Sequence, residues 1–495
     1  MNYLIAHDLG TSGNKATLYS ADGRIINSRV YSYDVQITNG TWAEQDPEDW
    51  WRAVCETTKE LIAEIDPKDI AAVSFSGQMM GCLCVDANGN PLRNSIIWAD
   101  LRSEKEEQFV RSQIAERDFY RITGHRISPA YSGFKFLWLK NNEPEIYAKT
   151  FKTLNAKDFI ILRLTGAYVT DFSDASSTCL MDLNEFCWSN ELLEIFGLSP
   201  DKMPEIKRSI DIAGTVTAEA ARATGLLEGT PVVIGGGDGA CAAAGTGCVK
   251  EGVANCVLGT SSWISITSQK PIFDEGMTTF NFAHILPYQV MPTGTMQTGG
   301  GALSWAVNTL YESGDGPTYQ RIQKELADSP IGAKGLFFLP YLIGERSPRW
   351  DTNAKGTFAG LTMEHKKIDM IRAVMEGVAF NFDVILKVFK SRMQIDELVT
   401  IGGGARTDAW LQILADVLNT TMVKPNYLEE ATSMGAAITG GVGVGIFEDF
   451  NVISKFLRPE EKFTPNAENA AFYETRKPIF DDCYFALKDV FAKMR

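Results

Sequence analysis

Histidine is scarce, with four residues in 495, and none of the nine cysteines forms a Cys-x-x-Cys pair. A zinc site is therefore not expected, because structural zinc draws its ligands from paired thiols and imidazoles. The cysteine count is odd, which argues against a secreted disulfide framework. Cys82 and Cys84 flank one residue of a predicted strand, and the others sit among Ala, Val and Leu, the setting of free buried thiols. Positive charge is also in short supply: 47 Lys and Arg against 62 Asp and Glu give a net charge of −15, without a block of like charges. No basic stripe exists to neutralise a phosphate backbone, so nucleic acid is excluded as a partner. Long apolar runs are missing too. The nearest, Met434 to Phe447, is broken by glycines, and the chain enters a strand directly without a signal-peptide pattern, so no membrane span is expected and a cytoplasmic protein is.

The chain does have length and apolar content. At 45% hydrophobic it is too long for one core, and two cores of roughly 240 residues are expected. The stretch Leu4 to Lys15 sets the theme. An apolar run ends at Asp8, Gly10, Thr11, Ser12 and Gly13 make a turn, and a second run from Lys15 to Tyr19 returns before Asp22-Gly23, which reads as a β-hairpin with a tip of small residues and hydroxyls. Such a tip suits a phosphate: glycine admits backbone N–H groups, hydroxyls add donors, and the neighbouring carboxylate can hold a divalent cation through water. Taken alone it is also an ordinary hairpin with a polar turn. The tip recurs, however, as Leu258-Gly259-Thr260-Ser261, about half the chain away and again between apolar runs. Two such hairpins facing each other across a cleft would clamp a nucleotide.

Between them, Asp46-Pro47-Glu48-Asp49 starts a helix whose Trp51, Val54, Leu61, Ile62 and Ile65 share a face. Ala71 to Phe75 is a buried strand that delivers Ser76-Gly77-Gln78-Met79-Met80-Gly81 to its carboxyl end, where open α/β sheets bind ligands; Met79 and Met80 also fit a core loop. Trp98, Asp100 and Arg102 at a strand end either stack on and hydrogen-bond a polyol or form a salt bridge at a domain edge. Residues 103–230 read largely as helices and connectors, with Asp171-Phe-Ser-Asp174-Ala-Ser-Ser as a helix cap or loop. Three triple glycines follow, at 235–237, 299–301 and 402–404. The first fits a dinucleotide pattern, yet Asp238 in the turn would repel a pyrophosphate, and no ribose-binding acid follows at the required distance. A carboxylate there serves better as a base.

Gly356-Thr-Phe-Ala-Gly360-Leu361, followed by Asp369-Met370 and Ala373-Val374-Met375-Glu376, together with Phe134-Lys135-Phe136-Leu137-Trp138-Leu139, resembles the two signatures of the FGGY family of carbohydrate kinases. The resemblance runs from residue 3 to about 445 and places the chain in the broader group of hexokinases, actins and heat-shock chaperones. It implies an α/β fold of two duplicated ribonuclease H-like, actin/hexokinase-type domains with a cleft between them. Residues 1–245 would form a sugar- and phosphate-binding domain with a helical insertion at about 103–230, residues 246–446 an ATP-binding domain, and residues 447–495 a C-terminal helical appendage. ATP and Mg²⁺ are the implied cofactors. Asp238 would be the catalytic base and Asp8 would position Mg²⁺ through water. The sugar would meet Gln78, Met79, Met80, Trp98, Asp100 and Asp238. ATP would meet Thr11, Ser12, Lys15, Thr260, Gly300, Ser304, Gly403, Gly404 and Thr407, and the helix starting at Ala431-Thr432-Ser433 resembles the family's inter-domain connection. Trp42-Ala-Glu44-Gln45-Asp46-Pro47, Asp171 to Ala175 and Phe338 to Pro348 are more similar to the xylulose kinases of the family than to its glycerol kinases, which implies a ketopentose such as D-xylulose. Three positions depart from that pattern: Met80 stands where histidine is usual, Ala99 where asparagine often is, and Gly239 where asparagine follows the base. Another ketose, a polyol or an aldonate stays open, as does an actin- or chaperone-like ATPase switch, and a homodimer is one assembly the family allows.

Overall fold

The computed structural model describes residues 2–311 and 314–494. In the first half, β1 (Tyr3–Leu9), β2 (Gly13–Ser20) and β3 (Ile25–Ser32) form an antiparallel meander, β4 (Ile70–Gly77) joins β1 in parallel, and β5 (Pro231–Val233) joins β4 in parallel. The second half repeats the order. β6 (Ala254–Leu258), β7 (Ser262–Ile266) and β8 (Val290–Met296) run antiparallel, β9 (Glu397–Ile401) pairs β6 in parallel, and β10 (Thr421–Pro425) pairs β9 in parallel. Short antiparallel strands extend the edges: Ile212–Thr215 beside β5, Phe280–Ala283 beside β8 and Pro459–Phe463 beside β10. The chain is thus a duplicated α/β fold of the ribonuclease H-like kind.

Strand β1 shows why the first sheet is buried on both faces. Its two-residue period sends Ile5 and Leu9 to one side, against Trp50, Val54 and Leu61 of α1 (Pro47–Ile62), and Leu4 and Ala6 to the other. The start of α1 is the one its sequence specifies: the Asp46 carboxylate accepts the Glu48 N–H at 2.9 Å, Pro47 fills the first turn, and Glu48 and Asp49 face the helix dipole. The cover over Leu4 and Ala6 comes from the far end of the chain. There α3 (Ala431–Gly443) lies across β1, β4 and the short helix α2 (Asp238–Gly245), and Met434, Ala437 and Ile438 share a core with Leu4 and Ala6. Small residues make this crossing a contact of backbones. A Cβ on Gly435 would stand 2.0 Å from the Cys241 carbonyl oxygen, and one on Gly245 1.8 Å from that of Ala431.

Two expectations about segments change. The expected appendage at 447–495 is not one over its described residues, 447–494. Phe447, Phe450, Ile453 and Phe456 pack into the first domain's core, Pro459–Phe463 extends the second sheet, and α4 (Ala467–Phe491) buries Tyr473, Phe480, Tyr484 and Phe491 in the second core. Those four aromatics recur at helical spacing along one face, and the Tyr473 hydroxyl donates to Glu376 at 2.7 Å. The span 103–230 is likewise only in part an insertion, because Ala156–Thr165 and Ala218–Thr224 pack on the first sheet's core with Phe159, Ile160 and Ala220. All nine cysteines are free; seven are buried, Cys187 is exposed and Cys483 lies between. Among the described residues no helix is long and apolar enough to cross a membrane.

Gly435→Ala is expected to cost about 1–3 kcal/mol of stability, since added volume in a tight contact forces backbone shifts. The measurement is the urea midpoint, and an unchanged midpoint would mean that α2 and α3 separate freely.

Candidate active site

Two cavities meet at the inner ends of the sheets. One, of about 300 Å³, lies between the halves, with Asp8, Gly10, Met79, Met80, Trp98 and Asp238 from the first domain facing Ser261, Phe280, Phe282, Thr295 and Arg346 from the second. The other, of about 700 Å³, belongs to the second domain and is lined by Thr260, Gly300, Ser304, Gly403, Gly404 and Thr407, with Tyr319, Gln323, Arg406 and Glu429 around them. Thr260 and Ser261 are neighbours in the chain, so the second hairpin tip reaches both cavities.

The floor of the first cavity is set by β1 and β4. Asp8 pairs in register with Lys15 on β2 and with Ser76 on β4, and Gly10 closes the turn by donating its N–H to the Gly13 carbonyl at 3.0 Å. Thr11, Ser12 and Lys15 stay at this first tip, outside the larger cavity. The Thr11 hydroxyl accepts the Trp98 indole N–H at 2.8 Å, the Thr11 carbonyl accepts the Gln45 amide at 2.7 Å, Ser12 is exposed, and Lys15 faces Glu430 at 3.6 Å.

Asp238 begins α2 directly after the second parallel pairing, in which Gly236 and Gly237 extend beside Ser76 and Gly77. The glycines are required: Gly235 has φ +71°, and a Cβ there would lie 1.9 Å from the Phe75 carbonyl oxygen. A strand continuation is also no cradle for a pyrophosphate, which removes the dinucleotide reading of this triplet. The Asp238 side chain is exposed to the open cleft, yet the protein on both sides of the cavity crowds its carboxyl; this desolvation, with the like charge of Asp8, pushes its pKa up to about 7. Burial raises Asp8 as well, opposed by Ser76 and Lys15. Two neighbouring carboxyl groups fit a hard divalent cation, which prefers carboxylate and water ligands.

Met79 and Met80 both face the cavity. Met80 sits at φ +62°, an unusual conformation for a side chain of its size, held by its N–H to Ser177 Oγ at 3.2 Å and by its carbonyl, which accepts Lys135 Nζ at 3.0 Å. Two expected sugar contacts are corrected. Asp100 is wholly buried, its carboxylate spent on Arg102 at 2.7 Å and on the Ala43 N–H at 2.6 Å, so the salt-bridge alternative is the one present. Gln78 turns away behind the loop, where its amide donates to Gln45 Oε1 at 2.7 Å. The cavity adds residues that the sequence reading gave no role. Phe280 and Phe282 carried no motif, whereas Arg346 lay inside a quoted segment, next to Glu345. The Glu345 carboxylate accepts the N–H groups of Gln297 at 2.7 Å and Arg346 at 2.9 Å; burial pushes its pKa up to about 8.

In the larger cavity the third glycine triplet does two jobs. A Cβ on Gly402, which has φ +91°, or on Gly404 would come within 3 Å of Leu258, while one on Gly403 would meet nothing within 4 Å. One face of the triplet is a packing seam and the other is open for a flat ligand.

Residues 3–245 match the N-terminal domain of the FGGY family of carbohydrate kinases, and residues 254–444 match its C-terminal domain. The chain belongs to that family. It is 33% identical over 495 residues to a xylulose kinase of Bacillus subtilis, covering 99% of this chain and 98% of that one. It is also 32% identical over 489 residues to a gluconokinase of the same organism, covering 97% and 95%. A ligand-bound xylulose kinase from Lactobacillus acidophilus superimposes over both whole chains with a TM-score of 0.94 at 29% identity. The enzyme is therefore a sugar kinase, a phosphotransferase acting on a sugar with ATP, and the ATPase-switch alternative is set aside.

The raised carboxyl of Asp238 leaves a mark on stability. The folded state holds its proton more tightly than the unfolded chain does, so this group's contribution is fully present below about pH 4 and is lost as pH rises through about 7. Asp238→Asn is expected to raise Tm at pH 8, with the gain shrinking towards pH 5. A pH-independent difference would mean that the charge is fully solvated.

Proposed function

We propose that the enzyme phosphorylates a ketopentose such as D-xylulose to its 5-phosphate, with the 300 Å³ cavity taking the sugar and the 700 Å³ cavity the adenosine of ATP. The observation that carries this reading is Asp238, a carboxyl with a pKa near 7 at the wall of a small cavity between the halves, beside Asp8. Asp238 accepts the proton of the attacking hydroxyl, and its pKa suits a base working near neutrality. Thr11, Ser12 and Thr260, with the backbone N–H groups of both tips, hold the phosphates. Asp8 would hold Mg²⁺ through water, which would supply neutralisation of phosphate charge there. Because the transferred phosphoryl passes through a loose transition state, positioning and charge neutralisation do most of the work. The cytoplasm and a homodimer complete the proposal.

One observation favours a second reading, an aldonate. Arg346 lines the cavity, where its charge would attract a carboxylate, and Met80 offers no hydrogen bond to select a sugar hydroxyl.

A coupled ADP-release assay over pentuloses, polyols and aldonates separates these readings. D-xylulose is expected to give the highest kcat/KM; an aldonate in first place, with activity lost in Arg346→Met, would establish the alternative. Asp238→Asn is expected to lower turnover about 10² to 10⁴-fold while ATP still binds. Met80→His is expected to improve D-xylulose relative to other ketoses by about 0.5–1.5 kcal/mol, one hydrogen bond. Turnover in Asp238→Asn above a tenth of wild type would remove Asp238 as the base.

A further inference from the structure

The segment Asp171 to Ser177 meets three walls of the sugar cavity at once. Asp171 caps a short helix, Phe172–Ser176, by accepting the N–H of Ser173 at 2.9 Å. Three buried serines on this turn then point in three directions. Ser173 Oγ accepts the N–H of Gly237 at 2.8 Å, one residue before Asp238. Ser177 Oγ accepts the N–H of Met80 at 3.2 Å. Ser176 Oγ accepts the N–H of Ala283 at 3.0 Å, in the strand that brings Phe280 and Phe282 from the other domain.

The protons of these hydroxyls are already committed inside the turn. Ser173 donates to Asp171 Oδ2 at 2.5 Å, Ser176 to the Ser173 carbonyl at 2.7 Å and Ser177 to the Asp174 carbonyl at 2.8 Å. A hydroxyl whose proton is fixed has its lone pairs fixed in direction, so each serine is an oriented acceptor for one wall. The base of the turn is equally immobile. Asp171 Oδ2 also accepts the Ser209 hydroxyl at 2.8 Å, and Asp171 Oδ1 lies 2.9 Å from Lys157 Nζ. Lys157 reaches Asp158 at 2.6 Å and Asp174 at 3.0 Å as well, and all four charged groups are sealed from solvent. Burial opposes the Lys157 charge, yet the three carboxylates hold the ammonium protonated.

We propose that Ser173, Ser176 and Ser177 are positioning residues that register the base, the sugar loop and the second domain's wall against one another, on an anchor made by Lys157 and its carboxylates. This rests on the reading of Asp238 as base and of the smaller cavity as the sugar site. It differs from a merely structural turn because each serine controls a different wall and so a different kinetic constant.

The test compares Ser173→Ala and Ser177→Ala in the full-length enzyme, with steady-state kinetics well below each variant's melting temperature. Loss of one oriented acceptor is expected to change the affected constant about five- to tenfold. Ser173→Ala should lower kcat and leave both KM values within twofold, while Ser177→Ala should raise the sugar KM and spare kcat and the ATP KM. Wild-type constants in both variants, or equal changes in all constants, would overturn the proposal. Should Ser173→Ala fail to fold, Ser177→Ala decides alone, and an unchanged sugar KM counts against the proposal. Full activity in Asp238→Asn would sink the base assignment separately, since the effect of Ser177→Ala on the sugar KM does not depend on it.

Discussion

The contact on which the rest of the molecule depends is the crossing of α2 and α3, two helices that touch through backbone because glycine stands where side chains would keep them apart. It joins the halves at the active end. Asp238 is the first residue of α2, Thr432 at the start of α3 faces the same cavity, and Glu430 just before it faces Lys15. A crossing without interlocking side chains resists separation yet offers little resistance to sliding, so relative movement of the halves would concentrate there. Away from it the walls are pinned: the turn at residues 171–177 ties Gly237, Met80 and Ala283 together, and Asn281 donates its N–H across to the Gly124 carbonyl at 2.9 Å.

The charges near the cavity follow from burial. Asp8, Asp238 and Glu345 are all carboxyls pushed upward by desolvation, with Arg346 as the cation among the cavity's lining residues. Crowding acids in this way costs stability, and it leaves a site that gains from the arrival of a cation. The glycines at 235–237 and 402–404 serve the same end: they let strands and helix starts come close enough for backbone to build the walls.

Much of this was legible in the sequence, for identifiable reasons. The repeated Leu-Gly-Thr-Ser tip is local and needs no long-range knowledge, so both hairpins could be read directly, while the duplicated sheets followed only from the resemblance to the family. The Asp46 cap of α1 and Asp238 after a strand are local as well. What stayed hidden is set by partners distant in sequence. Asp100 reads as a ligand until Arg102 and the Ala43 N–H are seen to consume it, and Gln78 points to Gln45 rather than to the cavity. Phe280 and Phe282 carry no pattern of their own, and become cavity walls only because an edge strand of one domain is drawn across to the other. The segment after residue 446 reads as a helical appendage, because nothing in a helix's own sequence says which core it completes.

The late position of α3 and α4 has a consequence for how the molecule is made. The first sheet emerges from the ribosome with one face covered by α1 and the other, carrying Leu4 and Ala6, bare until residues 431–443 have been synthesised. The second core waits longer still, for Tyr473 to Phe491. Neither half is therefore a finished folding unit when its own strands are complete, and the nascent chain carries exposed apolar sheet until those helices have been made, the condition under which holding chaperones matter most.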